Sequence, residues 1–383
     1  MFFNRARTFP RGSFPAIIVP MSPETPSQGR ANGGSGLTRR RLLAAGAAIA
    51  GAGFGVGAYA RWIEPTWVEV TQNDLPVPSL PPAWEGARIA HLADFHLCPW
   101  VPEAYLARCI KQTADLKPDL VVVTGDFITI GSEEYGPRAA RLLTDLHSPF
   151  GTFACLGNHE YGLGRPHLQP VRPSPVNGAL EDAGVRVLNN ASERLTRESL
   201  SQYPPVGPRL SEPPAGEADE GGDSMSRIAD RGERRPLAAQ PTEARRDIGI
   251  GSKGGDLWIA GVEDLWSARY DPARAMADVP SGAANLVLCH NPDAAEDLEA
   301  AGCGTILAGH THGGQVQIPL LGPPILPVRN RQRYEGLHRV GGTWLYINRG
   351  LGWLWRVRLA CRPEISLLTL RRSAPVETER PAG

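Results

Sequence analysis

Between residues 87 and 160 the chain repeats one unit three times: a helix or lead-in, a short apolar strand, then polar residues at the strand's C-terminal end. Arg88-Ile89-Ala90-His91-Leu92-Ala93 reads as a buried strand and runs into Asp94-Phe95-His96. Residues 120–123 form a second such run before Thr124-Gly125-Asp126, and residues 152–156 a third before Gly157-Asn158-His159-Glu160. Helical periodicity separates them, over 102–116 with Leu106, Cys109 and Ile110 on one side, and over 137–146. Strands alternating with helices predict an α/β architecture, in which ligands gather at the carboxyl ends of the strands.

The pattern continues. After a short helix near 177–183, residues 185–188 read as another strand, and the sheet resumes at 257–260 before Gly261-Val262-Glu263-Asp264. Residues 285–289 precede His290-Asn291-Pro292-Asp293, and residues 305–307 precede Gly309-His310-Thr311-His312-Gly313-Gly314-Gln315. Residues 344–347 lead into Asn348-Arg349-Gly350-Leu351-Gly352, and 364–370 read as a last, edge strand. Residues 197–254 lack periodicity and are rich in Pro, Gly, Glu, Arg and Ser; they read as a disordered insertion.

Composition excludes little but does so clearly. Lys plus Arg and Asp plus Glu balance at 40 each, so nothing points to a nucleic-acid partner. The six cysteines show no CxxC or zinc-finger spacing and read as buried thiols rather than a disulfide framework.

The N-terminus carries a targeting signature. Residues 1–36 are Pro-, Ser- and Gly-rich and read as disordered, with Met21 a second candidate start. Thr38-Arg39-Arg40-Arg41-Leu42-Leu43 and the weakly apolar run to Ala60 resemble a twin-arginine export signal. Ala58-Tyr59-Ala60 offers a cleavage site, while the 19 residues 42–60 are also enough for an uncleaved membrane anchor. Both remain open. Residues 61–86, with Trp62, Trp67, Trp84 and several prolines, read as a membrane-proximal linker, and 372–383 as a disordered tail.

Five of the nine histidines (His96, His159, His290, His310, His312) directly follow predicted strands, beside Asp94, Asp126 and Asn158. One such cluster is ordinary turn chemistry. Successive clusters on one rim of a sheet predict a metal site, because imidazole and carboxylate are common ligands of divalent transition metals.

The order Asp-x-His, Gly-Asp, Gly-Asn-His-Glu, His, Gly-His-x-His resembles that of the calcineurin-like metallophosphoesterase superfamily over residues 87–371, apart from the insertion. The leader, Gly-Val-x-Asp at 261–264 and Arg-Gly-Leu-Gly at 349–352 resemble its exported or membrane-associated bacterial branch, although Asn348 stands where that branch more often has serine. The resemblance implies a four-layer α/β/β/α sandwich of two mixed β-sheets, the metallo-dependent phosphatase fold, with two metals at the strand ends. It implies that Asp94, His96, Asp126 and His312 hold the first metal. Asp126 would bridge to a second, held with Asn158, His290 and His310, and His159 would act as general acid or stabiliser.

The chemistry agrees with these residue types. Two metals sharing a carboxylate can hold a bridging hydroxide and clamp phosphoryl oxygens, and His159 could protonate the leaving oxygen. A neutral Asn158 keeps the site electropositive. Nitrogen and oxygen ligands without thiolate suit Mn²⁺, Fe or Zn²⁺. Arg349 could bind a phosphate oxygen or form a structural ion pair. The expected activity is phosphoester hydrolysis outside the cytoplasm, with a lipid-linked pyrophosphate or diester at the membrane as the alternative substrate. A catalytically silent binding protein is a more distant alternative.

Overall fold

The structure is a computed structural model describing residues 39–164, 175–196 and 255–374. The stretches expected to be disordered at 1–36 and 197–254 lie outside the described residues, as does most of the tail. The chain divides into two compact units, Met1–Ala52 and Gly53–Gly383. Helix α1 (Arg39–Ala58) buries no side chain, and the helical run Arg39–Thr66 is long and apolar enough, by length and composition, to cross a membrane.

In the second unit, β1 (Glu69–Pro78), β2 (Arg88–Leu92), β3 (Leu120–Thr124), β4 (Thr152–Cys155), β5 (Arg186–Val187) and β12 (Glu364–Ser373) form one sheet. Its order is β1-β12-β2-β3-β4-β5, parallel except where β12 meets β2. A second sheet holds β6 (Ala191–Leu195), β7 (Leu257–Gly261), β8 (Asn285–Leu288), β9 (Thr305–Ala308), β10 (Gly336–Val340) and β11 (Thr343–Ile347). Its order is β10-β11-β9-β8-β7-β6, with antiparallel pairs only at the two edges.

Alternation along the strands builds the layers, because successive side chains of a strand point to opposite faces. In β3, Val122 joins a core shared with Ile259, Leu286 and Leu307 of the other sheet, while Val121 and Val123 face outward. That outward face is covered by α2 (Glu103–Asp115), α3 (Gly136–Leu143) and α4 (Val176–Asp182), through Leu106, Ala139 and Leu180 among others. The outer face of the second sheet packs on α5 (Pro272–Met276) and α6 (Ala295–Ala300), through Ala275 and Leu298. The layers are therefore α/β/β/α. All six cysteines are buried free thiols.

Two expectations about elements need correction. The segment 61–86 is not simply a linker: ten of its residues form β1, paired in parallel register with β12 from Glu69↔Glu364 to Pro78↔Ser373. Pro76 and Pro78 argue against a central strand, but β1 is an edge strand, where a missing N–H is tolerated. Because β1 occupies that edge, β12 lies between β1 and β2 and is not itself an edge.

Candidate metal centre

The residues predicted as ligands come from the C-terminal ends of strands in both sheets. Asp94 and His96 follow β2, Asp126 follows β3, and Asn158 and His159 follow β4; His290 follows β8, and His310 and His312 follow β9. All eight are buried. Three sets have donor atoms within 4.8 Å of one another: Asp94, His96 and His312; His96, Asp126 and His159; Asp126, His290 and His310.

Asp126 lies at the centre. Its Oδ2 is 3.2 Å from His290 Nε2, 3.4 Å from His96 Nε2 and 3.9 Å from His159 Nε2, while Oδ1 accepts from the His159 amide at 3.1 Å. On one side of it, His96 Nε2 and His312 Nε2 approach to 2.9 Å, with Asp94 Oδ1 3.5 Å from His312 Nε2. On the other, His310 Nδ1 lies 3.0 Å from His290 Nε2.

Backbone carbonyls and amides decide which ring nitrogen faces inward. His290 Nδ1 lies 2.8 Å from the Thr124 carbonyl and donates to it, leaving Nε2 as the inward donor atom. His310 is reversed: Nε2 lies 3.3 Å from the Pro327 carbonyl, so Nδ1 faces the cluster. His159 accepts the Ile130 amide at Nδ1, 3.1 Å, so its neutral ring carries the proton on Nε2, toward the cluster. Asn158 donates through Nδ2 to the Leu163 carbonyl, and its buried Oδ1 has no hydrogen-bond partner. An amide oxygen fixed in this way, among imidazoles and carboxylates with no thiolate, fits a hard or borderline dication.

The backbone is bent to this purpose. Asp94, His96, Asp126, His310 and His312 all have positive φ, between 48° and 70°, which for residues with a Cβ concentrates at functional sites. Gly309 is needed for close approach: a Cβ there would lie 2.7 Å from Asp94 Oδ2 and 2.8 Å from the Ala93 Cβ.

Burial raises the Asp94 carboxyl, with His290 opposing and Asp126 adding to the rise. Burial would also raise Asp126, but His290, His159 and His96 hold it well below the usual range. Burial pushes His310 down to about 3 and lowers His96, His312 and His159. His290 is the exception: Asp126, Asp94 and Asp264 overcome its burial and raise it well above the usual value. Asp126 and His290 thus attract each other, and a dication bound among these groups would draw on the same negative charge.

Several supporting residues had no assigned role in the sequence. Glu160 accepts from the amides of Gly157, Asp126 and Ile128 at 2.8, 2.9 and 3.2 Å, tying two strand ends together. Its place in Gly-Asn-His-Glu was the only signal. Asp264 is buried, with Oδ1 accepting the Trp266 amide, and Trp266 meets His310 edge-on at 4.9 Å. Arg358, fully buried, donates to the carbonyls of Arg349, Gly350, Gly352 and Cys361, and no motif announced it. Arg349, expected at a phosphate or in an ion pair, has its guanidinium on two carboxylates, Glu69 at 2.8 Å and Glu364 at 3.1 Å. Asn348 bonds the His91 carbonyl, Ser366 and the Gly350 amide, and takes no place among the ligands.

Comparison with known proteins fits this arrangement. The chain is 29% identical to "Phosphodiesterase YaeI" of Escherichia coli over 87% of its length and 99% of that protein's. It is 28% identical to "Uncharacterized metallophosphoesterase YkuE" of Bacillus subtilis, over 86% and 93%. It is 27% identical to "UDP-2,3-diacylglucosamine pyrophosphatase LpxG" of Chlamydia trachomatis, over 81% and 91%. The sequence model of the calcineurin-like phosphoesterases matches residues 87–314, more than half of the chain. The protein belongs to the calcineurin-like phosphoesterase family and is a hydrolase of phosphoesters.

Proposed function

We propose that this chain is a dinuclear metal-dependent phosphoesterase working outside the cytoplasm. The observation that carries the reading is the convergence of Asp94, His96, Asp126, His290, His310 and His312 from two sheets around one carboxylate, with the unpartnered amide oxygen of Asn158 after β4 beside them in sequence. Asp94, His96, Asp126 and His312 would hold one ion; Asp126, Asn158, His290 and His310 the other. Bound there, divalent ions would supply Lewis acidity toward phosphoryl oxygens and a nucleophile at neutral pH. Sequence and donor set suit Mn²⁺, Fe or Zn²⁺.

The chain's own residues do the rest. Asp126 sets the spacing of the two positions. His159, its Nε2 proton directed inward by the Ile130 amide, is placed to donate to the leaving oxygen. Arg349 is assigned to bracing Glu69 and Glu364, since its Nε and Nη2 are engaged by these two carboxylates. The twin-arginine leader supports export by that machinery, and the helical run Arg39–Thr66 supports retention at the membrane.

A second reading concerns substrate. The relatives named UDP-2,3-diacylglucosamine pyrophosphatase, together with that helix, favour a lipid-linked pyrophosphate or diester over a soluble ester. Metal analysis and hydrolysis of a nitrophenyl monoester and diester, run beside Asp126→Asn, test both readings. We expect about two ions per chain, as in two-metal esterases, and loss of both metal and turnover in the variant. Metal without cleavage of either ester would move the lipid-linked reading ahead. A chain that takes up no metal would end the proposal.

A further inference from the structure

Three segments beside the centre present large apolar side chains to solvent, and hydrogen bonds join them into one surface. The Arg358 amide donates to the Ala60 carbonyl at 2.9 Å, and the Cys361 amide to Glu64 Oε1 at 2.6 Å, fixing residues 60–67 against 353–362. The Leu359 and Gln317 amides exchange bonds with the Gln315 and Leu359 carbonyls at 2.9 Å, and Gln315 Nε2 donates to the Trp355 and Val357 carbonyls, adding residues 315–325. The surface adjoins the metal centre: Cys361 Sγ donates to the His312 carbonyl at 3.2 Å.

Trp62, Ile63, Leu320, Leu321, Ile325 and Trp355 are all exposed on it, Leu321 by 80% and Trp355 by 70%. Leu320 sits at the tip of a tight turn closed by the Leu321 and Gly322 amides on the Ile318 carbonyl, with φ of 68°. Such a position favours glycine or asparagine; a leucine held there, wholly exposed, serves nothing inside the fold. The charge is one-sided. Residues 59–68, 315–333 and 353–362 contain a single acidic residue, Glu64, and it is buried, while Arg61, Arg329, Arg331 and Arg356 are among their basic residues.

We infer that this surface docks into the headgroup region of an anionic lipid bilayer. Tryptophan and leucine mixed with arginine, with Glu69 and Glu296 at the margin already paired to Arg362 and Arg333, match the chemistry of a bilayer interface, where apolar tips enter the acyl boundary and arginines meet phosphates. Chain continuity points to the same occupant: residues 60–66 of the surface are the last turns of the helical run Arg39–Thr66. A protein partner of ordinary composition would need compensating acidic groups across the whole patch. The bearing on substrate rests on the phosphoesterase reading: the docked centre would open at the bilayer surface, within reach of a phosphoester whose lipid tail stays in the membrane.

The test uses the full chain in phosphatidylcholine vesicles containing phosphatidylglycerol. Leu320→Cys, Trp355→Cys and Ser281→Cys each receive an environment-sensitive fluorophore, since the native cysteines are buried. Ser281 is exposed and precedes β8, at the pole opposite the strand ends that carry the ligands. Probes at 320 and 355 are expected to shift to the blue and to lose most emission to spin-labelled acyl chains, with the probe at 281 unchanged. Unquenched probes at 320 and 355 would overturn the inference. A blue shift that grows with protein concentration but resists quenching would also overturn it, assigning the surface to a second copy or another protein. None of these readouts uses hydrolysis, so a failure of docking is distinguishable from a failure of the catalytic reading.

Discussion

His159 presents a proton inward, because the Ile130 amide occupies Nδ1. Replacing it with alanine should therefore leave metal content intact and lower turnover by roughly 10²–10⁴-fold, the usual span for a general acid. The loss should be smaller for a nitrophenyl ester, whose leaving group needs little protonation, than for an alkyl ester. Equal losses on both would assign His159 to stabilising charge instead. His91, which no motif contains, gives a second test. It is buried against Thr124 Oγ1 at 2.9 Å; burial pushes its pKa from 6.5 to about 3, with Glu364 partly opposing. Between these values the unfolded chain binds a proton that the folded chain refuses. Its contribution is therefore flat above pH 6.5, and stability declines as pH falls through the window, by about 1.4 kcal/mol per unit. In denaturant titrations from pH 7 to 4, His91→Gln should lose one proton's worth of that slope; an unchanged slope would refute the assignment. The clustered histidines and carboxylates were legible in the sequence as candidate ligands because each is a distinctive side chain after an apolar strand. Their orientation was not, because Thr124, Ile130, Leu163 and Pro327 act through backbone atoms that any residue supplies.

At the scale of elements, the repeated strand with a polar end was legible wherever both faces are buried, as in β2, β3, β4 and β8. β1 was not, since its burial alternates weakly and its prolines read as punctuation. Sheet order was equally hidden, because pairing of β1 with β12 joins residues 69–78 to 364–373 and leaves no local trace. What secures that pairing is Glu364. Its Oε1 accepts from Thr71 of β1 and from Tyr346 of β11 at 2.8 Å, and its Oε2 accepts from Arg349 at 3.1 Å. Burial would raise this carboxyl, but Arg349 and the hydroxyl donors keep it below the usual range. Glu364→Gln removes the charge opposite Arg349 and gives one acceptor oxygen a donor's chemistry. Breaking a buried pair on one side costs about 3–5 kcal/mol, which denaturant unfolding should register. A cost below 1 kcal/mol, the range of exposed pairs, would mean that Glu69 alone satisfies Arg349.

Across the whole molecule the candidate site residues divide between the two sheets. Asp94, His96, Asp126, Asn158 and His159 belong to the ends of β2, β3 and β4, and His290, His310 and His312 to those of β8 and β9. The apolar core between the sheets holds them together along their length, through residues such as Val122 and Leu286. At the pole of the site residues the core gives way to buried imidazoles and carboxylates, whose desolvation a cation among them would offset. Metal removal should therefore act as the loss of a cross-link and of a charge balance together. The folded chain alone offers the assembled site, so an ion at one hundred times its dissociation constant should stabilise by about 2.7 kcal/mol for each site filled. Chelation should lower the melting temperature, and adding back Mn²⁺ or Zn²⁺ should restore it. Amide exchange should quicken after β2, β3, β8 and β9 more than in α2 or α3, whose contacts are with the outer face. The same experiment on Asp126→Asn separates the two effects. If Asp126 joins both positions, the variant should show no recovery with metal, whereas loss of only one of two binding steps would show that the sites are held independently. Asn158 is proposed for one position only, so Asn158→Ala should weaken one binding step and keep the other.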